Sequence, residues 1–176
     1  MLGKSSVYTS FTGGKVEYII FEVIYLTYEE LLIKADNNNL ITKELPLPIS
    51  KGRIKGNHIA IRKGMTETEK ACVLAEELGH YYTTTGNILD QSITENRKQE
   101  HRARVWAYRN ALGLSDLIEA YKHGCRNRYE LAERLNVTET FLLGAIEDYK
   151  AQYGLFTRVD NYVVYFEPLG ILELNL

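Results

Sequence analysis

Cysteine is almost missing from this sequence. Its 176 residues include two, Cys72 and Cys125. Two thiols are too few for a disulfide framework, and these lack metal-type spacing with each other. Such usage suits the reducing cytoplasm. An excess of either charge is also missing: 21 Lys and Arg stand against 23 Asp and Glu, a net charge of -2. That balance excludes a disordered acidic tail and a strongly basic nucleic-acid binder. No long apolar run occurs either. The best stretch, Val16 to Ile33, is interrupted by Glu17 and Glu22, and a bilayer span takes roughly 20 apolar residues. A signal peptide would show an early basic region and a small-residue cleavage site after the apolar run. Here Thr27-Tyr28-Glu29-Glu30 follows and reads as a helix start. The expectation is no membrane insertion, with residues 1–26 a leader whose structure the sequence leaves open. What is plentiful is tyrosine, 13 against one Trp, spread along the chain as packing residues would be. At 45% hydrophobic and 25% charged residues, this is an ordinary globular chain, long enough for a core without staples.

Local signals divide the rest. Thr27 and Glu30 form a capping-box pattern for a helix that Asn37-Asn38-Asn39 ends. Ile41 to Ile49 carries two of the three prolines and reads as an edge strand or extended connection. Lys51 to Asn57 is basic and turn-rich, and His58–Arg62 alternates like a half-buried strand. Thr66 and Glu69 cap a long helix from Glu67 to about Tyr82. A second long helix runs from roughly Asn96 to Leu112. Past a joint at Gly113 and Ser115, three short helices are expected: Asp116–His123, Tyr129–Leu135 and Glu139–Tyr149. Thr138 caps the last of them after the turn Asn136-Val137-Thr138. Phe156 to Leu174 reads as one or two terminal strands. The fold class is therefore α+β and predominantly helical. Its divisions are a leader (1–26), a core of small sheet plus helices (27–113), a helical subdomain (114–153) and a strand-like tail (154–176).

The chemistry lies in the first long helix, at Leu74-Ala75-Glu76-Glu77-Leu78-Gly79-His80-Tyr81. Residues four apart on a helix stand one above the other, so Glu76 and His80 point to one place. Zinc accepts imidazole nitrogen and carboxylate oxygen at about 2.0–2.2 Å. Glu77 occupies the slot that the general base takes in His-Glu-x-x-His metalloprotease helices. The departure is Glu76, where that motif has its first His. Apolar flanks imply a buried helix whose carboxylates need a reason to be there. Gly79 costs about 1 kcal/mol against Ala inside a helix and implies close approach of another element. The second helix offers a third ligand at Glu100. Ala103 and Ala107 share its stripe, while its competitor His101 diverges by about 100°. Cys72 lies one turn before Glu76 and reads as a small core residue. His58 and His123 read as surface or packing residues, and Tyr81 and Tyr82 as packing at the helix end.

These segments resemble the ImmA/IrrE family of metallo-endopeptidases, in the form carried by phages and integrative elements. The matching pieces are Thr66–Lys70, Leu74 to Thr84, Gly86-Asn87-Ile88-Leu89-Asp90 and Glu100 to Ala107. The last is similar to a Glu-x-x-Ala-Asn-x-Phe-Ala pattern, with Arg104 for the Asn and Trp106 for the Phe. The resemblance covers roughly Tyr28 to Tyr153. It implies a zincin-like minimal core and a cytoplasmic bacterial endopeptidase with one zinc ion, which cuts a transcriptional repressor of its own mobile element. Carried over by residue, Glu76, His80 and Glu100 hold the metal and Glu77 is the base. Two carboxylates and one His make a harder, more anionic site than two His and one Glu, so another divalent metal stays open. The strand His58–Arg62 reads either as an ordinary core strand or as one whose edge could pair with a substrate segment. The alternative function is a non-catalytic antirepressor that keeps the fold.

Leu131 to Thr138 also resembles the first half of a helix-turn-helix. The helix after it begins Glu139-Thr140-Phe141-Leu142 and later carries Glu147 and Asp148. Those acids repel phosphate, which favours packing or partner docking over DNA reading.

Overall fold

The computed structural model describes the backbone of residues 6–12, 15–21, 27–83 and 93–174, and the side chains of 27–83 and 96–174. Six helices and eight strands in three small sheets make up this α+β fold among the described residues. Within the leader, β1 (Ser6–Thr12) and β2 (Lys15–Phe21) form an antiparallel pair, with Ser6 opposite Phe21. The apolar stretch that begins at Val16 is thus a strand as far as Phe21.

Helix α1 (Tyr28–Asn37) starts on the capping box read from the sequence: the Glu30 N–H donates to Thr27 Oγ1, and the Thr27 N–H to the Glu30 carboxylate. Tyr28, Leu31 and Ala35 are its buried stripe. Asn39 ends the connection at φ 58°, a left-handed conformation that Asn tolerates. Next come β3 (Ile41–Leu45), β4 (Gly52–Lys55) and β5 (His58–Arg62), in spatial order β3-β5-β4. β3 runs parallel to β5, and β4 antiparallel. β5 is therefore the central strand. It has no free edge, and pairing of a substrate segment along His58–Arg62 is excluded. β4 was expected as turn-rich loop. Its only large apolar residue is Ile54, and its strand conformation comes from the pairing of Ile54 with Ile59. Ile59 and Ile61 are fully buried on the helix side.

Helix α2 (Glu67–Thr83) begins on its capping box, with the Glu69 N–H donating to Thr66 Oγ1 at 3.2 Å and the Thr66 N–H to Glu69 at 3.0 Å. Ala71 to Ala75 and Glu77 to Gly79 are buried, with Leu74 and Leu78 fully so. Each of those leucines contributes roughly 1.5–3 kcal/mol of apolar burial. α3 (Ile93–Ala111) lies across α2, with Ala103 and Ala107 fully buried. The close approach inferred from Gly79 is present: a Cβ there would stand 2.2 Å from the Ala103 carbonyl oxygen.

Three shorter helices follow, α4 (Leu114–Lys122), α5 (Arg128–Arg134) and α6 (Glu139–Tyr153). The Gly113 N–H donates to Asp116 at the first joint, and Thr138 Oγ1 accepts from the Phe141 N–H at the last. α6 is a full turn longer than the sequence pattern indicates and ends at Gly154, φ 82°. The tail contains three strands rather than one or two: β6 (Phe156–Val159), β7 (Tyr162–Phe166) and β8 (Leu169–Glu173), an antiparallel meander with β7 central. One apolar core runs without a break from Tyr28 through α2, α4 and α6 to Phe166. No described helix is long and apolar enough to cross a membrane.

The tyrosines sort by packing. Tyr82 stacks on Trp106 at 4.6 Å, with the Lys34 ammonium 4.8 Å from the indole. Tyr149 is buried and donates to the Leu112 carbonyl, and Tyr162 donates to Glu173.

Candidate metal centre

Glu77 is the only charged residue that is buried as a whole among the described residues, at 9% exposure. α2 turns it toward β4, where the Ile54 N–H donates to its carboxylate. The fit is close: a Cβ on Gly52 would stand 2.5 Å from Glu77 Oε1 and 2.5 Å from Val73 Cγ1. Burial raises the Glu77 pKa to about 7, helped by the charges of Glu76 and Glu100 and opposed by the Ile54 N–H. Its carboxyl thus exchanges a proton near neutrality, as a general acid–base group needs to.

Glu76 precedes Glu77 and faces a different wall. It lines a cavity of about 400 Å³ with Cys72 and Val73 from α2, Arg104 and Tyr108 from α3, and Thr138, Thr140 and Phe141 from the start of α6. Burial raises its pKa. Arg104 opposes the rise, Glu100 adds to it, and Lys51 opposes it. His80 and Glu100 meet across the helix crossing, with Nε2 and Oε1 3.5 Å apart. Arg104 Nη2 lies 3.9 Å from the other Glu100 oxygen. His101 is exposed; it lines one cavity with Thr83, Arg102 and Trp106 and another with Glu100 and Arg104, and does not line the Glu76 cavity.

Donors about 2.1 Å from a tetrahedral ion stand about 3.4 Å from each other. The His80–Glu100 separation fits that edge, and the donor types suit zinc. Glu76 belongs to the same charge cluster, but no three His, Cys, Asp or Glu side chains among the described residues converge on one point. Asp90 and its neighbours, part of the resemblance, lie outside the described residues.

Sequence reasoning missed the far wall of the site. The Thr138 N–H lies 3.4 Å from Cys72 Sγ, and Thr68 Oγ1 donates to Asn136 Oδ1 at 2.7 Å. Tyr108 and Phe141 meet edge to face at 4.9 Å. The start of α6, which a DNA reader would present to the groove, packs here on the α2 helix. The turn and cap were readable, but their partners lie far away in sequence. Arg104 was noticed only as a departure from a pattern.

A small sheet against a helix bearing Glu-Glu-x-x-His, crossed by a second helix bearing Glu100, defines a metallopeptidase-type core. The chain belongs to the family described as the IrrE N-terminal-like domain, a peptidase family whose model matches residues 36–147. No curated protein and no solved structure matches the chain.

Proposed function

We propose that this protein is a zinc-dependent endopeptidase whose substrate is another protein, a transcriptional repressor of the phage or integrative element that encodes it. The observation that carries the proposal is the buried Glu77 carboxyl, held near pH 7 beside the His80–Glu100 pair. His80 and Glu100 would hold the ion with Glu76 as third donor. A bound zinc ion supplies an acidified water and polarises a carbonyl. Glu77 takes the proton from the attacking water and returns it to the leaving amine. The Ile54 N–H keeps its carboxylate aimed, and Val73 and the bare face of Gly52 close over it. The edge strand beside Glu77 is β4, which pairs on one side only. An extended substrate segment added there would lie along the carboxylate.

A second reading, a non-catalytic antirepressor, is favoured by Glu76 standing where the motif has its first His. Near-neutral net charge and the packed start of α6 both favour a protein partner over DNA. The test is incubation with the repressor encoded beside the gene, with and without chelator. Chelator-sensitive cleavage that Glu77→Gln abolishes while folding is kept supports the enzyme. Cleavage that survives Glu77→Gln removes Glu77 as base. Tight binding without cleavage supports the antirepressor.

A further inference from the structure

Three carboxylates, Glu76, Glu77 and Glu100, act on one another in this site. Their mutual repulsion has to be offset in the folded protein before any ion arrives. Two cations face the cluster, Lys51 and Arg104. Lys51 is well exposed and lies 3.7 Å from Glu69 on the cavity rim. Arg104 differs. It sits one turn beyond Glu100 on α3 with Nη2 3.9 Å from that carboxylate, and it lines the cavity that holds Glu76. An exposed pair four residues apart is worth little by itself. Here the same guanidinium also faces Glu76, a largely buried carboxylate, where screening by water is weaker.

We propose that Arg104 is the built-in counter-cation of this site: it holds Glu76 and Glu100 in the metal-free protein, and a divalent ion must push it aside to gather them. The inference rests on the metal reading above. It accounts for the present geometry, in which His80 and Glu100 are set as two donors while Glu76 does not converge with them. It also gives Glu76 a partner suited to its charge, since a His in that place would bring none for Arg104 to neutralise. Arg104 is thus a positioning residue that sets how readily the site loads.

The test is zinc affinity, measured by competition with a chromogenic chelator, alongside urea unfolding of chelator-treated protein. Arg104→Gln removes a cation that opposes the ion, so zinc should bind about tenfold more tightly. Arg104→Lys should stay within about twofold of the parent. Arg102→Gln, the same charge change on a side chain outside the Glu76 cavity, should also stay there. In the metal-free protein Arg104→Gln should lower the urea midpoint, and Glu76→Gln should remove most of that loss. Unchanged or weaker zinc binding by Arg104→Gln overturns the proposal. So does an equal loss of midpoint in the Glu76→Gln background. If the parent takes up no zinc, the metal reading fails, while the unfolding cycle still decides whether Arg104 and Glu76 are coupled.

Discussion

Two helix crossings flank the site, and both are built on a glycine with no room for a methyl group. At the α2–α3 crossing, a Cβ on Gly79 would meet the Ala103 carbonyl oxygen at 2.2 Å. At the α3–α6 crossing, a Cβ on Gly144 would meet the Tyr108 hydroxyl oxygen, also at 2.2 Å. The distances match but the obstacles do not. A backbone carbonyl inside a helix moves only if the helix moves, whereas a tyrosine ring end can swing. The first crossing is therefore a rigid vice that fixes His80 against Glu100. The second is an adjustable contact that sets how the helical half closes on the Glu76 cavity. Rigidity sits where donors must be placed, and compliance where a cavity wall is made.

Three substitutions test this contrast. Gly79→Ala should be the most damaging. Forcing α2 and α3 apart should cost about 3 kcal/mol by urea unfolding, and a loss under about 1 kcal/mol would show that the crossing yields. Glu77→Gln probes how dry the rigid side is. The folded-state pKa of Glu77 is raised to about 7 from 4.5. Its protonated form is the one the fold accommodates, so the parent is comparatively stable at pH 5 and loses stability as pH rises through about 7. In chelator-treated protein the advantage of Glu77→Gln over the parent should grow by about 2 kcal/mol between pH 5 and pH 8. A flat difference across that range would mean that water reaches the carboxylate. Gly144→Ala should be the mildest. Gain in helix propensity offsets part of the strain, leaving a net loss of about 1 kcal/mol that Tyr108→Phe should relieve. If Gly144→Ala costs as much as Gly79→Ala, the two crossings are alike.

What was legible in the sequence was local. The boxes Thr27/Glu30 and Thr66/Glu69, the Thr138 cap and the alternation of His58–Arg62 each lie within one turn or one strand, and each appears as read. The approach of Glu100 to His80 was readable from its relation to Ala103 and Ala107, whereas the shared point that spacing gives Glu76 and His80 is not one on which three donors converge among the described residues. The unread parts depend on distant partners. β4 is a strand because β5 pairs with it. β8 was obscured by Pro168 before it and Gly170 within it, and β7 supplies its register. The same non-locality decides between the two readings of β5: its neighbours are β3, read as an edge strand or connection, and β4, read as a turn-rich stretch, and they make it a core strand. Arg104, Tyr108 and Thr140 share a cavity with Glu76 only because α2, α3 and α6 meet.

Gly52 looks from the sequence like loop punctuation between Lys51 and Arg53. In the fold it is the bare patch of β4 on which the Glu77 carboxyl rests. Position 52 is therefore a mechanical switch: a methyl group there reaches the Glu77 carboxylate while every ionisable atom of the site stays in the protein. Such a chain would keep every charge of the site yet present the carboxylate proposed as base in the wrong place, which separates having the chemistry from aiming it.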